Sequence, residues 1–502
     1  MSAAEHDNRI GLFGATSYVV GNIIGSGIFV SPSGILRRTN SVGLSLIIWV
    51  VSGLITVLGA FCYIELGTAI RESGADFAYI CYVKWYPIAF AFMWVNVILT
   101  YPASAAVGIE TFGEYVLTAL EPIVCIEATN RAIAKKLFAF AMILLLTMTN
   151  LLSLKRYASR LQILFTAAKV LAMIIIIVTG FYYLAFRGGS SNFSNLMDHS
   201  KYSPGDLTLA VYGGLWAYGG YNVLNFGIEE IKNPRRTVPL AFLIGLALVT
   251  LLYLTINVAY FAVLSQDEML DSETIAVAQQ FATKALGNFA YAYPAIIGIV
   301  LCGTTNSAIF SSSRYMFAAA RRGHLPSSVA ILNIDTDSPR VAVVAFSLLT
   351  MAMSFIGDIE QLINYVISLS WFQTCFTLAA LIWIRFKHIP VHEKALTFNL
   401  AIPFLYLLVS IMLVAVPIYQ RPVETAIGVG LLLSGFMVYY ALLKTRMTPQ
   451  FLRNLNESST EACQKFFLGV PQLSTGSSAE VRQRKNTVVD NTSNVSIKEQ
   501  KF

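Results

Sequence analysis

The sequence predicts an all-α polytopic membrane protein with twelve transmembrane helices, and three observations lead to this fold class. Of the 502 residues, 56% are hydrophobic and only 13% are charged, a composition typical of proteins that cross a bilayer repeatedly. The apolar residues are gathered into runs long enough to span, which requires about 20 residues of helix. The lysines and arginines behind the formal net charge of +7 cluster in the short loops between these runs. They report membrane topology and do not indicate nucleic-acid binding.

Twelve apolar runs are predicted to cross the membrane. They lie at about 11–36, 42–69, 85–119, 136–153, 160–186, 207–228, 238–264, 288–318, 340–357, 361–384, 397–417 and 424–443. Residues 1–8 are polar and precede a full-length span, so we expect no cleaved signal peptide and a cytoplasmic amino terminus. Twelve crossings return the carboxyl terminus to the cytoplasm. The excess of Lys and Arg in the loops that this topology places inside supports the orientation.

Composition divides the chain into three parts. Residues 1–8 form a cytoplasmic amino-terminal segment, residues 9–446 form the twelve-helix domain, and residues 447–502 form a tail rich in Ser, Thr, Asn, Gln and charge. We expect the tail to be disordered in the cytoplasm, because it has few apolar residues with which to build a core.

The first span is interrupted by Gly25-Ser26-Gly27. Two glycines around a serine weaken a helix and permit φ values that other residues resist. Unpaired backbone groups are costly in lipid, so an opened helix is tolerable only where it lines a cavity. The alternative is an ordinary span that presents a face of small residues to a neighbouring helix.

A second interruption, Trp216-Ala217-Tyr218-Gly219-Gly220-Tyr221-Asn222, falls in the span at 207–228. Two glycine-interrupted spans about five helices apart are typical of inverted-repeat transporters, whose substrate site lies at mid-membrane between the repeats. The two interruptions together therefore predict a transport site formed by unwound backbone.

Cys125 is the one cysteine that the predicted topology places outside the cell. It lies between the third and fourth spans and has no partner on its own chain in that oxidising compartment. An odd external cysteine indicates an intermolecular disulfide or a free reactive thiol. Asn192, in Asn-Phe-Ser, is a possible glycosylation site in an outer loop, although such short sequons are often unused.

Several motifs resemble the L-type amino acid transporters, which are the light chains of the heteromeric amino acid transporters within the amino acid, polyamine and organocation superfamily. The motifs are Gly25-Ser26-Gly27-Ile28-Phe29-Val30-Ser31-Pro32, the run from Trp216 to Asn222, Glu229-Glu230-Ile231-Lys232-Asn233-Pro234, Tyr101-Pro102-Ala103-Ser104 and Arg321-Arg322-Gly323-His324-Leu325-Pro326. The similarity runs from about Arg9 to Lys444 and includes Cys125.

The resemblance implies two inverted five-helix repeats, at about 9–187 and 205–385, with broken first and sixth helices and two appended helices at about 396–444. It also implies an antiporter that exchanges amino acids across the plasma membrane without sodium. Light chains of this family pair through a disulfide with a single-span glycoprotein heavy chain, and the matching cysteine is Cys125. Neither a cofactor nor a metal is expected.

The two interruptions suit the two charged ends of an amino acid. Unwound N–H groups at Ser26, Gly27 and Ile28, at the start of a half-helix, offer donors and a positive dipole end to the carboxylate. Freed carbonyls near Ile23, Trp216 and Gly219 offer acceptors to the ammonium. By resemblance, Trp216 also closes over the substrate as a gate; alternatively it is a buried core aromatic. The predicted substrate-binding residues are Ile23, Gly25, Ser26, Gly27, Ile28, Trp216, Ala217, Gly219 and Asn222.

Selectivity for large neutral amino acids is expected for two reasons. Gly219 and Gly220 leave room for a bulky side chain, and the second interruption contains no acid to hold a cationic one. Neutral polar contacts are predicted from Asn222 and from three residues of the eighth span. Those three are Thr304, Asn306 and Ser307.

Three departures from the family pattern favour the alternative, an exchanger of both cationic and neutral amino acids. Trp216 stands where neutral-selective members more often have Phe, and Tyr221 replaces the usual Trp. Glu110 lies inside the third span, where an ionisable residue is a functional candidate that could attract a cationic substrate. Its other interpretation is a carboxylate near the helix end that reaches water or pairs with a basic residue.

Lys169 is the second charge inside a span. The resemblance implies that its ammonium stands in for a sodium ion between the first and eighth spans, where a cation neutralises the carbonyls of the first interruption. The competing interpretation is a lysine that snorkels to the cytoplasmic surface, because it is only about two to three helical turns beyond Arg160.

Other classes of function are not favoured. The sequence has no phosphate-binding Gly-Lys-Ser/Thr loop, no His-Glu-x-x-His pair and no nucleophile elbow, so an enzyme is not expected. The five histidines are scattered and do not form a metal cluster. Repeated filters or rings of like charge, which would indicate a channel, are absent. An amino acid sensor that binds but does not transport remains an alternative.

Overall fold

The computed structural model describes residues 9–25, 27–120, 128–152, 158–194, 196–271, 277–287, 293–334, 336, 338–355, 359–420, 422–444 and 449–472. The first half contains α1 (Leu12–Ile23), α2 (Gly27–Thr39), α3 (Val42–Ala69), α4 (Ala75–Tyr82), α5 (Tyr86–Val95), α6 (Tyr101–Leu120), α7 (Ala128–Leu151), α8 (Ser159–Phe186) and α9 (Pro204–Ala217). The second half contains α10 (Pro234–Val263), α11 (Gln266–Asp271), α12 (Val277–Ala285), α13 (Tyr293–Arg321), α14 (Arg340–Met353), α15 (Ile359–Phe386), α16 (Ala401–Gln420), α17 (Pro422–Val438) and α18 (Gln450–Phe467). Two short strands are β1 (Ile331–Asn333) and β2 (Gly469–Pro471).

Seven helical segments in the described part of the chain are long and apolar enough to cross a membrane. They are Val42–Ala69, Tyr86–Leu120, Asn130–Leu151, Ser159–Phe186, Pro234–Val263, Tyr293–Arg321 and Leu369–Phe386. The second of these joins α5 and α6 through a π-helical turn at Asn96–Thr100. The predicted multi-pass helical membrane protein is therefore confirmed. The shorter apolar helices α14, α16 and α17 coincide with further predicted spans, and the total of twelve stays a prediction.

Both interruptions predicted from the glycine pattern are present. Helix α1 ends at Ile23, Ile24 is extended with φ −72° and ψ 93°, and α2 begins at Gly27. Helix α9 ends at Ala217, and after a turn the chain continues as a 3₁₀ helix at Val223–Glu230. Gly220 in that turn has φ +84°, in the left-handed region where glycine is favoured.

The interrupted helices lie side by side in the middle of the fold. Helix α1 packs on α8 and α10, while α2 packs on α9. Backbone hydrogen bonds of 2.8 Å from Ile10 N to the Glu230 carbonyl and of 2.9 Å from Lys232 N to the Ile10 carbonyl join the segments that flank the two interruptions. Both openings therefore face one common space.

The predicted disorder of the tail is wrong for residues 450–472. Helix α18 occupies Gln450–Phe467, and β2 pairs antiparallel with β1. The Asn456 side chain also accepts a 2.9 Å hydrogen bond from Ser327 N. Composition does not reveal this order, because the segment is held by backbone pairing and capping and not by a buried apolar core: α18 has no buried residue. Residues 473–502 lie outside the described residues.

Candidate functional site

A cavity of about 360 Å³ opens where the two interruptions meet. Its walls come from the end of α1, the start of α2, the end of α9 and the turn after it, and the helices α3, α4, α6, α13, α15 and α16. Seven of the predicted substrate-binding residues line it. They are Ile23, Gly25, Gly27, Trp216, Ala217, Gly219 and Asn222. Ile28 is fully buried and is not among the lining residues, and Ser26 lies outside the described residues.

The start of α2 approaches the second interruption closely. A Cβ atom at Gly27 would lie 2.7 Å from the Ala217 Cα atom, a separation that real side chains do not tolerate, so only glycine fits. The first N–H groups of a helix have no intrahelical acceptor and carry the positive end of the helix dipole. Helix α2 is 13 residues long, so its amino-terminal end in the cavity wall can hold a carboxylate.

The carbonyl groups expected to accept from a substrate ammonium are partly engaged by the protein. The Tyr253 hydroxyl on α10 lies 2.9 Å from the Ile23 carbonyl oxygen and 3.0 Å from that of Ala217. The Trp216 carbonyl accepts a 3.0 Å bond from Gly219 N. A carbonyl oxygen has two lone pairs, so each can accept one more donor. Tyr253 ties the two interruptions together, a role that its position in an apolar helix did not reveal.

Asn22 makes a second link between the interruptions. Its Nδ2 donates a 2.7 Å hydrogen bond to the Gly220 carbonyl, and a Cβ atom at Gly220 would lie 2.2 Å from that Nδ2. The amide therefore requires glycine at this turn. Asn22 lines the cavity, and the predicted set of substrate-binding residues does not include it.

Lys169 lies between α1 and α13, as the resemblance implies. Its Nζ donates bonds of 2.6 Å to the carbonyls of Gly21 and Ile24 and of 2.8 Å to Thr304 Oγ1. The side chain is fully buried and does not snorkel. A charge is tolerated inside a protein when it is hydrogen-bonded on all sides, and this ammonium has an acceptor for each of its three protons.

Of the three eighth-span residues predicted for selectivity, Thr304 alone lines the cavity. Asn306 lies on another face of α13, where it donates to Gln162 at 2.7 Å and accepts from Asn150 at 2.8 Å. Ser307 is fully buried away from the lining residues. Because cavity-facing positions recur at helical spacing, neither Asn306 nor Ser307 is placed to contact a substrate here, and their predicted contact role is corrected.

Glu110 pairs with basic residues, the second of its two interpretations. Its carboxylate lies 3.1 Å from Lys136 Nζ and 3.3 Å from Lys135 Nζ. Glu110 is not among the cavity-lining residues. These ion pairs join α6 to α7 and leave no reason for Glu110 to attract a cationic substrate directly.

An acid does line the cavity, but it comes from α4 and not from the second interruption. Asp76 Oδ1 accepts hydrogen bonds of 2.5 Å from the Tyr63 hydroxyl and of 2.8 Å from the Thr377 hydroxyl. Gly74, two residues before it, has φ +115°. The sequence signal was an acid two residues after a glycine, in a stretch between two predicted spans.

Two predicted external features have different outcomes. Cys125 lies outside the described residues, so its disulfide stays a prediction. Asn192 is described, and its Nδ2 donates to the carbonyls of Phe261 at 3.0 Å and Leu264 at 3.4 Å. A glycan attaches to that nitrogen, so this conformation holds the acceptor atom against α10 and disfavours glycosylation.

Comparison with known proteins accounts for nearly the whole chain. The family model described as amino acid permease matches residues 10–443. Amino acid transporter protein 6 of Caenorhabditis elegans is 43% identical over 474 residues, 93% of this chain and 90% of the relative. The human large neutral amino acids transporter small subunit 2 is 37% identical, over 94% of this chain and 87% of the relative. The human cystine/glutamate transporter is 36% identical, over 92% and 91%.

These matches confirm the resemblance that the motifs carry. The chain belongs to the amino acid permease family, in the group of transporters that includes the L-type light chains.

Proposed function

We propose that this chain is a sodium-independent exchanger of the plasma membrane that carries large neutral L-amino acids. It has twelve spans in the proposal, arranged as two inverted five-helix repeats and two appended helices, with both termini in the cytoplasm. Access to the cavity alternates as one repeat rocks against the other. The support is a cavity lined by both interruptions, which brings helix-end N–H groups and backbone carbonyls to one place.

The position of Lys169 is the observation that carries the proposal. Three acceptors at the end of α1 and on α13 surround its ammonium. A fixed positive charge there offsets the negative ends of these carbonyl dipoles, as a bound sodium ion would. An exchanger with this arrangement has no need of a sodium gradient to assemble its site.

The zwitterion is held by backbone alone in this proposal. Its carboxylate lies at the start of α2 near Gly27, and its ammonium near the carbonyls of Ile23, Trp216 and Gly219. Trp216 closes the outer side. Its half-buried ring lines the cavity and is large enough to cover a substrate.

The proposal includes a single-span glycoprotein heavy chain, linked through Cys125. The name of the similar small subunit says that this relative functions as one chain of an assembly. An unpaired external cysteine in the predicted topology is the second support. Together they favour a disulfide-linked heterodimer for this chain.

Efflux of preloaded labelled leucine and, separately, of arginine tests the proposed function. Cells that express the chain with a heavy chain are measured with and without external amino acids and with and without sodium. Leucine efflux that requires an external amino acid and is indifferent to sodium is expected. Efflux that proceeds equally into medium free of amino acids would overturn the exchange mechanism.

The alternative, exchange of cationic as well as neutral amino acids, is supported by one observation. Asp76 places a carboxyl group in the cavity wall, although its Oδ1 already accepts from two hydroxyls. Trans-stimulated arginine efflux in the same assay would establish exchange of cationic as well as neutral amino acids. Saturable leucine binding with no efflux of either label would instead establish an amino acid sensor that does not transport.

A further inference from the structure

One wall of the cavity is polar. It comprises Tyr63, Asp76, Tyr221, Gln373, Thr374 and Tyr406, which we call the polar wall. Its members are contiguous: the rings of Tyr63 and Tyr221 are 5.7 Å apart and edge to face, and Tyr63 donates to Asp76. A substrate side chain that extends to this wall meets these polar groups, so the wall bears on which neutral amino acids fit.

The polar wall offers hydrogen-bond donors to a bound group. The hydroxyls of Tyr221 and Tyr406 lie 3.0 Å apart and share one hydrogen bond, so one O–H of the pair remains. Gln373 Oε1 accepts a 2.7 Å bond from Asn96 Nδ2, whereas Gln373 Nε2 is buried without a partner in the described part of the chain. Buried donors without acceptors are costly, so a bound group with an acceptor oxygen is favoured here.

The hydroxyl pair is built into the fold. Tyr221 stands where the resemblance expects Trp, and its hydroxyl meets Tyr406 on α16, one of the two helices that the resemblance appends to the repeats. A Cβ atom at Gly59 on α3 would lie 2.5 Å from the Tyr221 hydroxyl and 2.6 Å from that of Tyr406. The glycine makes room for both hydroxyls, so α3, α16 and the turn after α9 together place them.

The charge on the wall disfavours an acidic side chain, because the Asp76 carboxylate repels a second carboxylate. An amide or a hydroxyl can both donate and accept, so it satisfies the spare donors without adding charge. A hydrocarbon end of the same size would cover those donors and leave them unpaired. A site that hydrogen-bonds its substrate rejects an analogue without the hydrogen-bonding group strongly for this reason.

We propose that the polar wall selects neutral amino acids whose side chains end in an amide or a hydroxyl over those with hydrocarbon or thioether ends of equal size. The inference rests on the proposed exchange function and names the substrate class within it. Tyr221, Tyr406 and Gln373 are its specificity-determining residues.

Two nearly isosteric pairs of amino acids test it: glutamine against methionine, and asparagine against leucine. The measurement is kcat/KM for each external amino acid in driving efflux of preloaded labelled alanine, with the heavy chain present. Wild type is expected to favour the amide in both pairs. Tyr221→Phe and Tyr406→Phe each remove one hydroxyl and keep the ring, and each is expected to lower the amide preference about 3- to 10-fold, the effect of one neutral hydrogen bond.

Tyr182→Phe is the matched control, because Tyr182 is exposed on α8 and outside the cavity lining. It is expected to keep the wild-type ratios, and surface biotinylation shows that each variant reaches the membrane. Equal use of both members of each pair by wild type, or unchanged ratios in both cavity variants, would overturn the selectivity while exchange stands. Absence of trans-stimulated efflux with every amino acid would remove the proposed function itself.

Discussion

The ammonium of Lys169 donates a 2.6 Å hydrogen bond to the carbonyl oxygen of Ile24, at the residue where α1 has just ended. This carbonyl has no partner within its own helix, because the last carbonyls of a helix are left without intrahelical donors. Lys169 thus stabilises the side of the first interruption that faces α8. The opposite side of the same interruption faces the cavity. The interaction connects the scaffold helix α8 to the segment that is proposed to bind substrate.

Replacement of Lys169 by alanine is expected to reduce leucine exchange at least about tenfold, because hydrogen bonds to a buried charge contribute about 1.5 to 3 kcal/mol. Efflux of labelled leucine measures it, normalised to the protein at the surface. Lys284→Ala is the control, since Lys284 on α12 forms an exposed ion pair with Glu268 on α11. Wild-type exchange by Lys169→Ala at equal surface density would show that the ammonium has no part in the site.

Tyr253→Phe is expected to impair exchange through the geometry of the cavity. The substitution removes one hydroxyl that lies within 3.0 Å of a carbonyl on each interruption. We expect the KM for leucine to rise about 3- to 10-fold, the effect of one neutral hydrogen bond. Concentration series of external leucine measure this. A fall in surface protein with an unchanged KM would assign Tyr253 a role in folding alone.

Gly27→Ala is expected to abolish exchange, because the new methyl group would lie 2.7 Å from the Ala217 Cα atom and backbone cannot yield as a flexible side chain does. Gly34→Ala is a closely matched control: Gly34 is in the same helix, and its added Cβ atom would meet nothing within 4 Å. Leucine efflux of the two variants is compared at equal surface density. Equal exchange by both would show that the interruptions do not need their close approach.

Some features of the site follow from local sequence and others do not. Glycine and serine disfavour helix wherever they cluster, so the interruptions at Gly25 to Gly27 and at Gly219 to Gly220 could be located without coordinates. Which side chains meet across them depends on packing between distant helices. The hydrogen bonds of Tyr253 and Asn22 join residues far apart in the chain, and no local pattern marks them.

The errors have the same physical origin. Asn306 and Ser307 belong to the correct helix, but the rotation of α13 about its axis decides which residues face the cavity, and polar residues occur on several of its faces. Glu110 was foreseen either as a site residue or as part of an ion pair, and the choice depended on where Lys135 and Lys136 lie on α7. Asp76 enters the cavity on a short helix, α4, that lies between two predicted spans and belongs to neither.

Cys125→Ser tests the assembly. The disulfide-linked complex is expected to disappear from non-reducing gels of cells that express both chains, leaving two separate bands. Cys463→Ser, in the exposed helix α18 on the predicted cytoplasmic side, is the control and is expected to keep the complex. A high-mass band that persists in Cys125→Ser would exclude this cysteine as the link. Some surface delivery of the variant is compatible with the proposal, because noncovalent contacts between the chains remain.

His324 provides a test that depends on pH and not on transport. Its ring lies 5.2 Å from that of Phe77 and 5.6 Å from that of Phe90, both edge to face. Burial, together with the nearby positive charge of Arg322, lowers the pKa of His324 from 6.5 to about 4. The folded protein therefore favours the neutral imidazole, whereas the unfolded chain binds a proton below about pH 6.5.

The sign of the effect follows from this difference. Stability that His324 contributes is present above pH 6.5 and is lost as the pH falls toward 4, because the unfolded state then binds more protons. We expect the free energy of unfolding to fall by about 1 to 3 kcal/mol over this range.

His324→Phe keeps an aromatic ring among its neighbours and removes the titrating group, so its free energy of unfolding should fall less over the same range. Thermal unfolding of the purified protein at pH 7.5, 6, 5 and 4.5 measures the slope, with the exposed His392→Phe as control. Equal slopes for wild type and His324→Phe would contradict the buried neutral imidazole.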